Sequence, residues 1–138
     1  MAATLVAATL DISAAIFITL SRGGPIDTML RGIASGPLPD ATNWGMTGAA
    51  IGIAVHFAII GAMAAVFVLA AQRIGWLKRH ALTAGIAYGV ATWVVMNQIV
   101  LPLRWPAIFP QFDAVNVFTQ LACHIFLVGI PIALIARR

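Results

Sequence analysis

The sequence predicts an all-α polytopic membrane protein, with four transmembrane helices and a short amphipathic helix forming one domain over residues 1–138. Two observations carry this. Charged residues make up 9% of the chain and apolar residues 62%, whereas a soluble domain is about 25% charged and roughly half apolar. With four acids and eight basic residues and a mean hydropathy of +1.00, most of the surface must have lipid as its solvent. The apolar residues also fall in four long continuous runs, not in the alternating segments of about 10 residues that a β-barrel needs. In lipid each backbone polar group must be paired within its own segment, and a helix achieves that with one run.

A spanning helix takes about 20 mostly apolar residues to cross a hydrocarbon core of roughly 30 Å. The first run, residues 4–20, is marginal in length and carries Asp11. No Lys or Arg precedes it and no small-x-small cleavage site follows, so it reads as a retained helix. Ser21-Arg22-Gly23-Gly24-Pro25 ends it, and Gly36-Pro37-Leu38-Pro39-Asp40 is the next breaker. Between the two, Ile26, Met29, Leu30 and Ile33 recur at helical spacing while Asp27 and Arg31 pair one turn apart. This predicts a short helix over 26–35 lying on the membrane surface. The second run, 45–71, is free of charge; the third covers 81–101 and the fourth 115–136. Pro131, beside Gly129, is expected to bend the last helix. The connection at 72–80 is short and basic. That at 102–114 carries three prolines with Trp105, Phe109 and Phe112, the composition of a segment hugging the headgroup interface.

Small residues at i+4 steps let helix backbones approach in lipid. Gly48, Gly52 and His56 form one such stripe, Ala50, Ala54, Ala58 and Ala62 a second, and Gly85 and Gly89 a third. All three are expected to be packing faces. Orientation follows from the basic residues. Arg73, Lys78, Arg79, Arg137 and Arg138 lie on one side, against Arg22, Arg31 and Arg104 on the other with Asp27, Asp40 and Asp113. The positive-inside rule then puts both termini in the cytoplasm.

The net charge of +4 is no nucleic-acid footprint, because its residues stand singly or in pairs at the ends of apolar runs as headgroup anchors. Cys123 is the single cysteine and has no internal partner. No phosphate-binding glycine loop, catalytic triad or zinc-ligand spacing occurs, so no catalytic residue is assigned and no enzyme is expected.

The candidate site is a set of polar residues at membrane depth. Asp11 lies nine residues in from Leu20, His56 nine in from Thr47 and His124 nine in from Val115, each roughly 14 Å deep. Asn97, four residues in from Leu101, is about 6 Å deep, and Gln120 stands one turn above His124. An ionisable group there costs about 2.5 to 3.5 kcal/mol on insertion scales, so it turns to the bundle interior. A carboxylate beside an imidazole could relay protons. Two histidines at equal depth could be axial ligands of one haem iron, and two His with one Asp could hold a metal ion. The plainest alternative is that Asp11, His56 and His124 bond one another and keep the helices in register.

Several runs carry a family resemblance: Leu30-Arg31-Gly32-Ile33-Ala34-Ser35-Gly36, then His56-Phe57, Gly85-Ile86-Ala87-Tyr88-Gly89, Val95-Met96-Asn97 and Val128-Gly129-Ile130-Pro131-Ile132-Ala133. Together they resemble a group of small four-helix bacterial inner-membrane proteins, distantly YagU-like. The resemblance implies a bacterial inner membrane and the same topology, which makes the short helix periplasmic. It carries over no catalytic residue. The expectation is a non-enzymatic accessory or self-associating bundle without a cofactor, whose partners are membrane lipids and other membrane subunits or its own copies. Proton, ion or haem handling by the Asp/His cluster is the alternative.

Overall fold

The computed structural model describes all 138 residues and contains helices and no strand. Helix α1 covers Ala2–Ser21, α2 Ile26–Ala34, α3 Gly45–Arg73 and α4 Gly75–Arg79. Helix α5 covers Ala81–Arg104 and α6 Ala114–Ala136. A 3-10 turn, Pro39–Asn43, leads into α3. Helices α1, α3, α5 and α6 are each long and apolar enough to span a membrane, as the composition predicts.

Two connections are more helical than the sequence predicts. The basic segment 72–80 holds the last residues of α3 and the whole of α4, with Trp76 stacked on His80 at 5.0 Å. The third spanning helix does not stop at Leu101 but passes through Pro102 to Arg104. Proline lacks the N–H of a helical bond, and its ring presses on the carbonyl four residues back. The chain meets both demands by widening to a π-helical turn over Val95–Val100, directly ahead of the Leu101-Pro102 pair. The same device precedes Pro131, where His124–Gly129 is π-helical, so the irregularity expected at Pro131 takes the form of a widened turn.

The spanning helices stand in the order α3, α1, α6, α5. At the end holding the N-terminus they close on a core of small residues with a few large ones. Ala7 and Ala8 share one buried cluster with Ile60, Ala64 and Phe67 of α3, Ala84 of α5, and Val128 and Ile132 of α6. Tyr88 bridges the two edge helices, donating its hydroxyl to the Met63 carbonyl at 2.7 Å. Helices α5 and α6 come closest where glycines face backbone. A Cβ on Gly85 would lie 2.8 Å from the Ile130 Cα, and one on Gly89 2.6 Å from the His124 carbonyl oxygen.

The glycine stripe of α3 is a packing face. Gly48, Gly52 and His56 are all buried, with Gly52 against the Leu30 carbonyl. The alanine stripe is not: Ala50, Ala54, Ala58 and Ala62 are exposed on the outer face of the bundle. One helix has one side toward its neighbours, and α3 spends it on Gly48, Gly52, His56, Ile60 and Ala64. Helix α2 also differs from expectation. Its apolar stripe rests on protein, Leu30 packing with Ile12 and Ala49, flanked by Ile26, Met29 and Ile33.

The indole nitrogen of Trp93 is buried without a hydrogen-bond partner. An unpaired buried donor costs about 1 to 3 kcal/mol, so Trp93→Phe is expected to leave stability unchanged or raise it. A lower unfolding midpoint in detergent would show that the indole has an acceptor after all.

Candidate functional site

Away from the closed end, α3 and α5 part and leave a cavity of about 790 Å³. That lies within the range of about 300–1,000 Å³ for small-molecule sites. Asp11 reaches it from α1, His56 from α3, Asn97 from α5, and Gln120 and His124 from α6. All five polar residues singled out by membrane depth therefore line one space. The cavity is two-sided. Its α1 and α6 wall is polar, with Asp11, Asn116, Gln120 and His124, while α3 and α5 set His56, Asn97 and Arg104 among the apolar Ile59, Ile60, Met63, Met96, Val100 and Leu101.

The hydrogen bonds decide what these side chains do. His56 is 9% exposed, and its Nε2 lies 3.3 Å from the Ala8 carbonyl oxygen. A carbonyl only accepts, so Nε2 carries the proton and donates. The same nitrogen is 3.7 Å from Oδ2 of Asp11, an ion-pair distance beyond direct hydrogen bonding. His124 donates from Nδ1 to the Gln120 carbonyl on its own helix at 2.9 Å, which in an uncharged imidazole leaves Nε2 as an acceptor. Asn97 donates to the Trp93 carbonyl of its own helix at 3.3 Å. Of the five, only His56 hydrogen-bonds another helix. The others hold capacity that the protein does not consume, on the wall of a cavity.

Both π-helical turns belong to this wall. Asn97 sits inside the first and His124 opens the second. Such widened turns rotate the side chains around them and recur at functional sites. The prolines at 102 and 131 thus act on the site as well as on the fold.

The rim adds a residue that sequence reasoning treated only as a loop charge. Arg104 lines the cavity because α5 continues past Pro102. Its Nε and Nη2 donate to the carbonyls of Gly36 and Ser35 at 3.0 and 2.9 Å, tying α5 to the end of α2. Its guanidinium lies 5.2 Å from the centre of the Trp105 ring. Arg31 makes the parallel tie, donating to the Thr42 carbonyl and to Oδ2 of Asp27, both at 2.7 Å.

The inorganic options fit the donors poorly. No group of three His, Cys, Asp or Glu residues is gathered for a metal ion. Axial haem ligation would need His56 to give up its bond to Ala8, since that bond occupies Nε2. What the fold and site define is a four-helix polytopic bundle with one polar cavity in its open half. Comparison with protein-family models, curated proteins and solved structures found no match for the chain.

Proposed function

We propose that this chain is a non-enzymatic protein of a bacterial inner membrane, with both termini cytoplasmic and α2 periplasmic, that holds a small molecule in the cavity. One observation supports the reading above the rest: Asn97, Gln120 and His124 present polar groups to a shared space and make no interhelical hydrogen bond. Residues kept only to hold helices in register would bond across helices and close the space between them. The side of the membrane rests on the bias of basic residues, and the bacterial inner membrane on the family resemblance.

Two experiments test this. Native mass spectrometry of protein extracted in mild detergent is expected to find a stoichiometric non-covalent adduct. Ile59→Trp, which fills the cavity from the α3 wall, is expected to lose the adduct while melting as the natural chain does. An adduct indifferent to Ile59→Trp, or none in either protein, would refute the reading, and a Soret band would identify haem despite the geometry. Reporter fusions after Gln72 and at Arg138 are expected to behave as cytoplasmic, and one at Asp40 as periplasmic. The opposite pattern would invert the topology.

A second reading, an accessory or self-associating bundle, is favoured by the lipid-facing Ala50, Ala54, Ala58 and Ala62. A stripe this smooth would let another helix approach closely.

A further inference from the structure

Building on that reading, we propose that the occupant is a single-chain anionic lipid, a monoacyl glycerophosphate in chemical class, which enters sideways from the bilayer between α3 and α5. The phosphate sits on Arg104, the glycerol and ester oxygens face Asn97 and Gln120, and the chain leaves past Met63.

The anionic end follows from charge complementarity. Arg104 is half-buried on the cavity wall, and its hydrogen bonds go to neutral carbonyls. The carboxylates with a basic side chain within 4 Å are Asp27 beside Arg31 and Asp11 beside His56, so no carboxylate offsets Arg104. A guanidinium has five N–H donors. Two are spent on Gly36 and Ser35, and the Trp105 ring lies against the guanidinium at 5.2 Å. The remaining donors form a preset fork for phosphate oxygens. Arg104 ends α5, at the depth where a lipid carries its phosphate.

The apolar end follows from a second, smaller space. A groove of about 310 Å³ runs between α3 and α5, lined by apolar residues apart from Thr92. Ala62, Val66, Ala91 and Val95 along it are exposed on the outer face of the bundle. Met63 lines both this groove and the polar cavity, which makes it the threshold between them. A flexible thioether yields to a passing chain more readily than a branched side chain does. The polar cavity alone has the size of one small-molecule site and the groove beyond it is smaller still, which favours one chain over two.

Between these ends, Asn97 and Gln120 line the cavity one to two turns inward of the ends of α5 and α6. That is the level of a lipid's ester and glycerol oxygens when its phosphate is held at Arg104.

The test is a native mass spectrometry titration of the full chain with oleoyl glycerophosphate, its uncharged counterpart monooleoyl glycerol, and glycerol phosphate lacking a chain. The acidic lipid is expected to bind one to one, and the uncharged lipid at least about tenfold more weakly, as the loss of a charge-assisted contact implies. Glycerol phosphate is expected not to compete. Met63→Phe, at the threshold, should weaken the acidic lipid with an unchanged melting temperature, whereas Ala50→Phe on the outer face should not. Equal binding of the charged and uncharged lipids overturns the proposal, as does effective competition by glycerol phosphate. The lipid comparisons use the natural chain, so they do not depend on the folding of any variant. Loss of the purified adduct with Ile59→Trp, combined with no preference for the acidic lipid, would sink this inference and leave the cavity reading intact. An adduct that Ile59→Trp leaves in place would sink both.

Discussion

A single methyl group at position 129 is expected to destabilise the fold by about 3 kcal/mol, the upper end of ordinary overpacking. A Cβ there would lie 2.6 Å from the Gly89 nitrogen and 2.8 Å from its Cα, and closer still to the Gly85 carbonyl. All three obstacles are backbone, so no rotamer change relieves them, and Gly129→Ala must push α6 away from α5. Gly89→Ala meets the Ile125 Cα at 2.5 Å and should behave alike. The effect should reach the cavity, because His124 sits at the same contact and its carbonyl rests against Gly89. Gly32→Ala is the control. Nothing lies within 4 Å of the new carbon, and alanine is the better helix former by up to about 1 kcal/mol. Unfolding by a denaturing detergent, followed by circular dichroism, measures all three. Similar midpoints for Gly129→Ala and Gly32→Ala would mean that α5 and α6 are not in backbone contact.

How far the sequence announces this fold depends on what each residue's signal refers to. Hydropathy reports the solvent, so the four spanning helices are legible within a few residues at each end. Depth is legible too, because the rise per residue is constant in a helix. Counting inward therefore placed Asp11, His56 and His124 at one level, and all three line one cavity. Azimuth is harder. Ala50 and Gly48 stand on equally smooth stripes, and which stripe faces the bundle is settled by Leu30 and Ala41, residues outside the helix. Arg104 was unreadable as a site residue for a different reason. Its place depends on a helix that survives Pro102 through a π turn, and proline in a sequence argues for an end. The surface helix was legible in its spacing, but its apolar face serves α1 and α3 instead of lipid, and spacing does not name the partner.

The two histidines, equivalent by depth, are expected to separate cleanly on mutation. His56→Leu removes the donor to the Ala8 carbonyl, a bond between α3 and α1, and strips Asp11 of the imidazole 3.7 Å away. Leaving a buried polar partner unmatched costs about 1 to 3 kcal/mol, several times the average of about 0.6 kcal/mol for an interhelical bond in a membrane protein. His124→Leu removes only a bond to its own helix and puts an apolar side chain of similar bulk on a partly exposed wall. Its stability is expected to stay within about 0.5 kcal/mol of the natural chain, as for substitutions that break no buried network. The ligand readout should be affected in the other sense. His124→Leu deprives the cavity of its free ring nitrogen and should weaken the adduct about tenfold, the worth of one good hydrogen bond to a ligand. Asp11→Leu in the His56→Leu background is expected to restore part of the lost stability, since it removes the orphan, and a double-mutant cycle reads that coupling directly. Should His124→Leu prove the more destabilising of the two, the polar wall would be a structural network, and the case for a cavity that holds a molecule would fall with it.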